Sequence, residues 1–482
     1  MLFNSIGFAI FLPIIFFLYW FVFTKNYKYQ NALLLISSYF FYACWDWRFT
    51  FLLVFSTALD YYSGIKMAEA KSKSLKKFYF AASIIINLGF LATFKYYNFF
   101  ANSFADAVSH FGVHVSPWTL MIILPVGISF YTFHGLSYVI DIYNDKIKPE
   151  RNFIDYSVFV SFFPLLVAGP IERATHLLPQ IQRERTFDYT RAVDGLRQIL
   201  WGLFKKVVIA DQSAGFANLI FNNSANYNGS AHLLGAVFFT FQIYCDFSGY
   251  SDIALGTARL FGIELLKNFA FPYFSRDIAE FWRRWHISLS TWFRDYLYIP
   301  LGGSKAGTLT KVRNTFIIFI VSGFWHGANW TFIMWGFINA LFIMPSILFK
   351  TNRKNLDTVA EGKNLPTLRE LLSILMTFGL TVFAWIFFRA ENISHAFDYL
   401  RRLFSKSLFA VPNILGKTSA ATLVLVICLF VLIEWFGREK RYAIEYLGQK
   451  VRPSIRWAFY YILILMIFFY TGEKQQFIYF QF

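Results

Sequence analysis

The feature that most constrains the fold is a series of mostly apolar stretches of about 10 to 25 residues that repeats along the whole chain. A helix needs about 20 residues to cross a hydrocarbon core of about 30 Å, and shorter stretches can be extended by their flanks. Because 57% of the residues are hydrophobic and only 15% are charged, the chain cannot bury its apolar residues in one water-soluble core. The clearest stretches are 6–23, 32–45, 51–65, 78–94, 118–142, 158–167, 233–244, 313–350, 371–388, 422–435 and 457–470. We therefore predict an all-α, polytopic membrane protein with ten to thirteen membrane segments.

The net charge of +17 is distributed in step with these stretches. The loop at 66–77 contains five lysines, the loop at 101–117 contains no lysine or arginine, and the loop at 144–152 contains three basic residues. Together with Lys25 and Lys28 after the first stretch, this alternation is the positive-inside pattern and predicts an extracytoplasmic N-terminus. The basic charge is thus mainly a topology signal, so we expect contact with membrane lipid and no nucleic acid.

Motifs for other kinds of chemistry are missing from the sequence. The three cysteines, Cys44, Cys245 and Cys428, lie singly in apolar stretches and match neither a disulfide framework nor a zinc site, so we expect no metal. We find no phosphate-binding loop and no dinucleotide fingerprint. The first stretch lacks a cleavage site and is interpreted as a retained helix. The charged stretch at 351–366 resembles a linker, but we predict a single membrane domain over residues 1–482.

Ionisable residues inside membrane segments are costly and usually face a partner, a cavity or a pathway. Ionisable residues and one further polar residue, Gln242, cluster in the middle of the chain: His134, Asp141, Glu172, Arg173, Lys205, Lys206, Asp211, Gln242, Asp246 and Asp252. For any one of them, a hydrogen bond or ion pair that holds the helices together is the simpler explanation. Taken together they favour a polar interior. Glycines and prolines in the same segments predict broken helices around it: Pro125, Gly127, Gly169, Pro170 and Gly249.

A second block, "RDIAEFWRRWHISLSTWFRDYLYIPLGG", combines an aromatic stripe with arginines. Residues at helical spacing form the stripe: Phe281, Trp285, Leu289, Trp292 and Tyr296. This spacing predicts one interfacial helix that ends before Pro300. His286 belongs to the aromatic side and therefore points inward, where periodicity alone favours a core histidine over a ligand-binding one.

The segment between Arg313 and Lys350 carries no formal charge and contains a single histidine, His326. As one helix it would be about 54 Å long, too long for one span and slightly short for two. The natural break is "SGFWHGAN", because Gly323, Gly327 and Asn329 weaken a helix. We therefore expect a hairpin or two half-spans with His326 at the turn, lining a cavity.

At these motifs the sequence resembles the membrane-bound O-acyltransferase (MBOAT) family, and within it the bacterial membrane subunits of alginate O-acetyltransferases and related envelope acetyltransferases. The resemblance extends from "MLFNSIGFAIFLPIIFFLYW" through "LPVGISFYTFHGLSYVIDIY", "FFPLLVAGPIERA" and "QIYCDFSGYSDIALG" to "FWRRWHISLSTWFRDYLYIPLGG", "SGFWHGANWTFIMWG" and the terminal "FIYFQF". It implies a helical bundle around a central tunnel. His326 matches the family's catalytic histidine, and His286 matches its second characteristic polar position.

The resemblance implies an enzyme that transfers a small acyl group, most simply acetyl, with His326 as general base and His286 in support. The expected donor is acetyl-CoA or another acyl thioester, with no tightly bound cofactor. The expected acceptor is an envelope polysaccharide, reached directly or through an extracytoplasmic acyltransferase partner, at the bacterial inner membrane. Further candidate substrate-binding residues are Trp325, Asn329, Trp285 and Asp246. Transfer of D-alanine to teichoic acid, or an acyl channel without its own chemistry, remain alternatives.

Overall fold

The structure is a computed structural model, and it describes residues 1–24, 26–121, 123–305, 307–447, 451–472, 475 and 477–478. These residues form helices joined by turns and loops, with no β-strand among them, so the all-α prediction is confirmed. Lys25, part of the topology pattern, lies outside them, as do residues 479–482 of the terminal motif.

The first ten helices are α1 (Ile6–Phe17), α2 (Tyr27–Asp46), α3 (Arg48–Ala68), α4 (Lys73–Leu91), α5 (Tyr97–Ser109), α6 (Ile128–Tyr143), α7 (Phe153–Ser161), α8 (Phe163–Leu166), α9 (Ala174–Ile181) and α10 (Tyr189–Phe204). The others are α11 (Asp211–Asn222), α12 (Gly229–Leu260), α13 (Ile278–Arg284), α14 (Ile287–Phe293), α15 (Thr308–His326), α16 (Trp330–Leu348), α17 (Leu368–Arg389), α18 (Ile393–Leu403), α19 (Lys417–Gly437) and α20 (Pro453–Phe469). Short π-helical turns continue α1, α4, α10 and α14: Leu18–Val22, Ala92–Tyr96, Lys205–Ala210 and Arg294–Tyr298.

Several helices have the length and composition of membrane spans. Within the described residues four stretches qualify fully: Lys73–Ser109, Trp330–Leu348, Leu368–Arg389 and Lys417–Gly437. Two shorter apolar helical stretches, Ile6–Val22 and Pro453–Phe469, fall just below that length. The polytopic character is thereby confirmed, while the total of ten to thirteen segments and the central tunnel stay predictions.

Two of the predicted apolar stretches in the first half of the chain are interrupted. In the stretch 118–142 the helix α6 begins only at Ile128, directly after Gly127. The φ of Gly127 is 76°, which is the left-handed conformation that glycine adopts readily. Pro125 disfavours a helical conformation for the residue before it, which explains why the helix does not begin earlier. In the stretch 158–167, α7 ends at Ser161 and α8 begins at Phe163. The predicted break at Pro125 and Gly127 is confirmed, and Gly169 and Pro170 lie between α8 and α9, outside any helix. The break predicted at Gly249 is wrong, because α12 continues through this residue.

Contacts between Cα atoms divide the chain into two compact units, residues 1–191 with 257–266, and residues 192–256 with 267–482. Two compact units do not decide how many domains fold independently, so the single domain stays a prediction. In the first unit, α3 packs against α4 and α6, and α2 packs against α7.

Polar side chains in the first unit pair with one another inside the helical packing. Asp60 on α3 is 1% exposed and accepts hydrogen bonds from Ser83 Oγ at 2.6 Å and Asn87 Nδ2 at 2.7 Å. The fully buried Glu172 lies 2.7 Å from His176 Nδ1. The Asp60 contacts join α3 to α4, as expected for polar groups that cannot reach water.

In the second unit, glycines bring α10 and α12 into backbone contact. A Cβ atom on Gly202 would lie 2.6 Å from the carbonyl oxygen of Gly249, and one on Gly256 would lie 2.5 Å from that of Gly195. Real Cβ contacts are not this short, so both positions require glycine. The close crossing places the charged residues that follow α10 beside those of α12.

The stretch 351–366 is not the free linker that its composition suggests. Arg283 donates to the carbonyl oxygen of Asn355 at 2.7 Å, and Arg438 donates to that of Val359 at 2.9 Å. Val359 is 2% exposed and belongs to a small apolar cluster. A charged sequence without periodicity therefore forms a packed strap, because arginines from two sides satisfy its backbone carbonyls.

Candidate active site

The charge-free segment forms a tight helical hairpin. Helix α15 ends at His326, and after three intervening residues α16 begins at Trp330. A Cβ atom on Gly323 would lie 2.2 Å from the carbonyl oxygen of Phe332, and one on Gly336 would lie 2.2 Å from that of Phe319. The predicted break within "SGFWHGAN" is confirmed. Glycine contacts between the two arms explain why they lie so close together.

Asn329 begins the second arm of this hairpin. Its side-chain oxygen accepts a hydrogen bond from the Thr331 N–H at 3.0 Å, which caps α16, and its amide donates to the carbonyl oxygen of Glu391 at 2.9 Å. Such capping satisfies a backbone N–H group that lacks an intrahelical partner. Both functional groups of this side chain are engaged in structure, so the placement does not support a substrate-binding role for Asn329.

His286 occupies a sharp turn that the sequence did not predict. The expected single interfacial helix is instead two short helices, α13 and α14, separated at Trp285 and His286. His286 has φ 43° and ψ 55°, the left-handed conformation that costs about 1–2 kcal/mol for a residue other than glycine. The prediction of one continuous helix is wrong at this point. The predicted inward direction is right, since the side chain is 1% exposed.

The two histidines lie near each other within the second unit. Their ring centroids are 6.5 Å apart, and Trp325 lies beside both, at 6.0 Å from His286 and 4.9 Å from His326. At this separation, one substrate atom placed between the rings can reach a nitrogen of each at a hydrogen-bond distance of about 2.6–3.2 Å. Residues 40 positions apart in the sequence thus share one small space.

Aromatic rings enclose the pair. Phe247 of α12 meets His286 edge-on at 4.6 Å, while Trp335 of α16 and Phe388 of α17 meet His326 at 5.2 Å and 5.4 Å. His326 is 5% exposed. A water-poor environment of this kind strengthens hydrogen bonds to a charge that develops during a reaction.

Burial also sets the protonation state of His286, which lies outside the long apolar helices. Removal from water disfavours the imidazolium form and lowers the pKa of His286 to about 3. At neutral pH the ring is therefore uncharged, with one N–H group that donates and one nitrogen that accepts. Such a group can stabilise a developing oxyanion by donating its hydrogen bond.

Trp285 and Asp246, two further candidates, have different surroundings. Trp285 is 1% exposed and packs among Phe269 at 5.0 Å and Trp385 at 5.1 Å, in the aromatic layer beside the histidines. Asp246 lies 2.8 Å from Lys206 Nζ and accepts the Ile478 N–H at 2.7 Å. Its carboxylate is thus paired within the protein, and its link to the histidines is its chain neighbour Phe247.

A polar cavity lies in the second unit, and Phe269 of the aromatic layer belongs to its lining. Its charged and hydroxyl-bearing walls include Lys205, Tyr244, Ser248, Ser251, Asp252, Lys267, Glu434 and Arg441. Lys205 Nζ lies 2.5 Å from Asp252 Oδ2, and Tyr244 donates to Glu434 at 2.9 Å. The opposite charge of Asp252 explains how Lys205 tolerates burial, and the hydrogen bond from Tyr244 partly satisfies Glu434. No cluster of His, Cys, Asp and Glu suited to a metal ion occurs in the described part of the chain.

Sequence reasoning missed several residues around the histidines. Phe247, Trp335 and Phe388 are aromatic residues in apolar helices, a pattern typical of any buried helix, so no local signal distinguishes them. Asn268, which contacts the residues after His286, lies in an irregular stretch between α12 and α13. Its only local signal is an uncharged polar side chain directly before the aromatic residue Phe269.

The sequence of this chain is similar to those of several known proteins. A model of the MBOAT, membrane-bound O-acyltransferase family, matches residues 143–387. The probable alginate O-acetylase AlgI of Pseudomonas aeruginosa is 37% identical over 91% of this chain and 82% of its own length. A peptidoglycan O-acetyltransferase of Helicobacter pylori is 35% identical over 83% of this chain and 79% of its own. A teichoic acid D-alanyltransferase of Bacillus subtilis is 29% identical over 60% of this chain and 74% of its own.

Proposed function

Because the chain belongs to the membrane-bound O-acyltransferase family, we propose that it transfers acetyl groups from a cytoplasmic thioester toward hydroxyls of a cell-envelope polysaccharide. The observation that carries the proposal is the enclosed pair His286 and His326, with ring centroids 6.5 Å apart. A hydroxyl is a poor nucleophile until a base removes its proton, and a neutral imidazole is such a base near neutral pH.

In the proposed step, the acceptor oxygen forms a bond to the thioester carbonyl carbon while its proton passes to His326. The tetrahedral intermediate then collapses, the C–S bond breaks, and His326 returns the proton to the departing sulfur. His286 donates its N–H to the carbonyl oxygen, where negative charge develops. Proton and charge balance, so the step needs neither metal nor redox partner. Acetyl-CoA or another acyl thioester supplies the acyl group as a substrate.

The names of the relatives support the choice of acyl group and acceptor. The alginate and peptidoglycan O-acetyltransferases are 35–37% identical and are matched over 79–82% of their length. The D-alanyltransferase is less similar, at 29% identity over 60% of this chain. We therefore favour acetyl transfer to a polymer of the alginate or peptidoglycan kind and keep D-alanyl transfer as the second candidate.

A partner outside the membrane and the orientation of the chain are also part of the proposal. We propose a location in the bacterial inner membrane with an extracytoplasmic N-terminus. This is supported by the lysine-rich segment 66–77, which joins α3 to the start of α4, and by the segment 101–117 without basic residues, which includes the end of α5. We further propose that an extracytoplasmic acyltransferase completes the transfer. Copurification in mild detergent tests this. Acetylation of the final polymer at full rate by the isolated, reconstituted chain would contradict it.

Mass spectrometry of envelope polysaccharides from cells with and without the protein tests the central proposal. We expect alkali-labile acetyl esters to disappear without the protein and to return with the wild-type chain. Loss of D-alanyl esters instead would establish the second candidate. An unchanged ester content would contradict both acetyl transfer and D-alanyl transfer. Acyl passage into vesicles that contain the His326→Ala variant separates an enzyme from a channel. If passage continues while transfer is lost, the protein is an enzyme. If passage itself stops, the protein is a channel.

A further inference from the structure

The strained turn at His286 is held by one residue from a different part of the chain. Asn268 is 1% exposed, and its backbone carbonyl accepts the Ile287 N–H at 2.9 Å. Its side-chain oxygen accepts the Ser288 hydroxyl at 2.6 Å, and its side-chain amide donates to Ser251 Oγ at 3.2 Å. One buried asparagine thus connects the first residues of α14 to α12.

A second set of bonds holds the other side of the turn. The Ala270 N–H donates to the carbonyl oxygen of Arg284 at 3.0 Å, and Arg284 Nη1 donates to the carbonyl oxygen of Ala270 at 3.2 Å. Asn268 therefore bonds to the chain immediately after His286, and Ala270 bonds to the chain shortly before it. The turn is fixed from both sides by the same short segment.

The local sequence does little to favour this turn. Left-handed backbone is uncommon outside glycine and persists where the surrounding structure over-determines it, often at functional sites. At position 286 the residue is histidine, and no glycine or proline lies between Ile278 and Phe293. The conformation that directs the imidazole toward His326 must therefore be stabilised by contacts from elsewhere. Asn268 supplies two of them, to Ile287 and Ser288, and its third hydrogen bond ties it to Ser251 of α12.

We propose that Asn268 is a positioning residue for acyl transfer, acting through the Ile287 and Ser288 contacts to hold the His286 imidazole facing His326. This rests on the proposed function and adds a residue to its machinery. Asparagine suits the position because it offers an acceptor to Ser288 and a donor to Ser251 at once. Alanine offers neither, and aspartate has no N–H for Ser251 and adds a buried charge.

The test compares three variants of the full-length protein in reconstituted membranes: Asn268→Ala, Ser288→Ala and Ser288→Thr. Thr291→Ala is the matched control, because its hydroxyl also makes a bond in α14, to the Ser288 carbonyl oxygen at 2.9 Å, without contact to Asn268. We expect kcat to fall by up to about 10²-fold in Asn268→Ala, the effect of a small misplacement of a reacting group, with KM for the thioester nearly unchanged. Ser288→Ala should lose less, and Ser288→Thr should recover part of that loss.

A second readout does not depend on activity. In protein with isotope-labelled histidine, the His286 imidazole signal is assigned as the one that disappears in His286→Asn. We expect this signal to shift in Asn268→Ala and Ser288→Ala and to stay in place in Thr291→Ala. The signal reports position even if the parent protein transfers no acetyl group, so failure of the proposed function and failure of this inference are distinguishable.

Normal kcat with an unshifted signal in Asn268→Ala would overturn the inference. Loss of kcat with an unshifted signal would overturn it as well, because Asn268 would then act elsewhere. If Asn268→Ala does not fold, Ser288→Ala decides by the same two measurements, since it removes one hydroxyl and leaves both backbone contacts of the turn in place.

Discussion

His286 and His326 lie with ring centroids 6.5 Å apart, although each belongs to a different break in the helical structure. His326 is the last residue of α15, and His286 precedes the first residue of α14. Helix interiors direct side chains along a regular spiral, whereas the end of a helix allows one side chain to point away from it. Two such ends meeting in a buried space give two imidazoles access to the same substrate atoms.

His326→Ala tests the general base. We expect normal insertion, because the change removes one polar group from the hairpin and leaves the basic residues at Arg313 and Lys350. Acyl transfer should fall by about 10²- to 10⁴-fold, the usual contribution of a positioned acid–base group. Protein level and acetyl ester content are measured on the same membranes. His114→Ala, at an exposed histidine, is the control. Near-normal esterification with normal protein would exclude the catalytic role.

His286→Asn separates the imidazole from the backbone that presents it. Asparagine is among the residues that tolerate left-handed backbone, so we expect the variant to fold with φ near the 43° of the parent. Transfer should nevertheless fall by about 10²-fold or more, because the shorter amide of asparagine reaches less far than the imidazole toward a developing oxyanion. Steady-state rates and monodispersity in detergent are the measurements. If the variant transfers acyl groups at the rate of the parent protein, His286 has a packing role and no catalytic one.

The hairpin was predictable because its signals are local. Glycines at 323 and 327, an N-capping asparagine at 329 and a charge-free length unsuited to one span all lie within a few turns of each other. The aromatic stripe through Phe281 and Trp285 was also visible as inward-facing. For such features the sequence determines the structure at short range, and periodicity detects it.

The turn at His286 and the packed strap at 351–366 were not predictable, because their causes lie far away in the chain. Asn268 imposes the turn through hydrogen bonds that no pattern within residues 278–293 reveals. Likewise Arg283 and Arg438 bind backbone carbonyls of the strap, whose own sequence is typical of a linker. Tertiary contacts override local preference at both places.

Lys205→Met tests the buried pair with Asp252. The side chains are 4% and 14% exposed, and the variant leaves a carboxylate with one hydrogen bond from Gln198 and no cation at its 2.5 Å contact. We expect the free energy of unfolding to drop by about 3–5 kcal/mol. The readout is the apparent melting temperature in detergent, which falls when the free energy of unfolding falls. Arg401→Met, which breaks an exposed pair with Asp398, should cause no measurable change. Equal stability of both variants would contradict a structural role for the buried pair.

Single cysteines test the predicted topology. In a chain whose exposed Cys44 and Cys428 are replaced by serine, we introduce Ser74→Cys and Ser116→Cys, both at exposed positions. Because positive charge resists translocation, an impermeant thiol reagent added to intact spheroplasts should label position 116 and spare position 74. Lysis should then expose position 74. Labelling of both positions before lysis, or the reverse order, would contradict the proposed orientation.

Gly323→Ala and Gly379→Ala are the same chemical change at two glycines in apolar helices. At Gly323 the new Cβ would lie 2.2 Å from the Phe332 carbonyl oxygen, whereas at Gly379 no atom lies within 4 Å. Backbone cannot yield as a flexible side chain can, so the first variant must separate α15 from α16 and displace His326. We expect Gly323→Ala to lose transfer activity and to melt earlier in detergent. Gly379→Ala should keep full activity and be more stable by up to about 1 kcal/mol, the helix-propensity gain of alanine over glycine. If both variants retain parent-like transfer rates, close packing of the hairpin does not position His326.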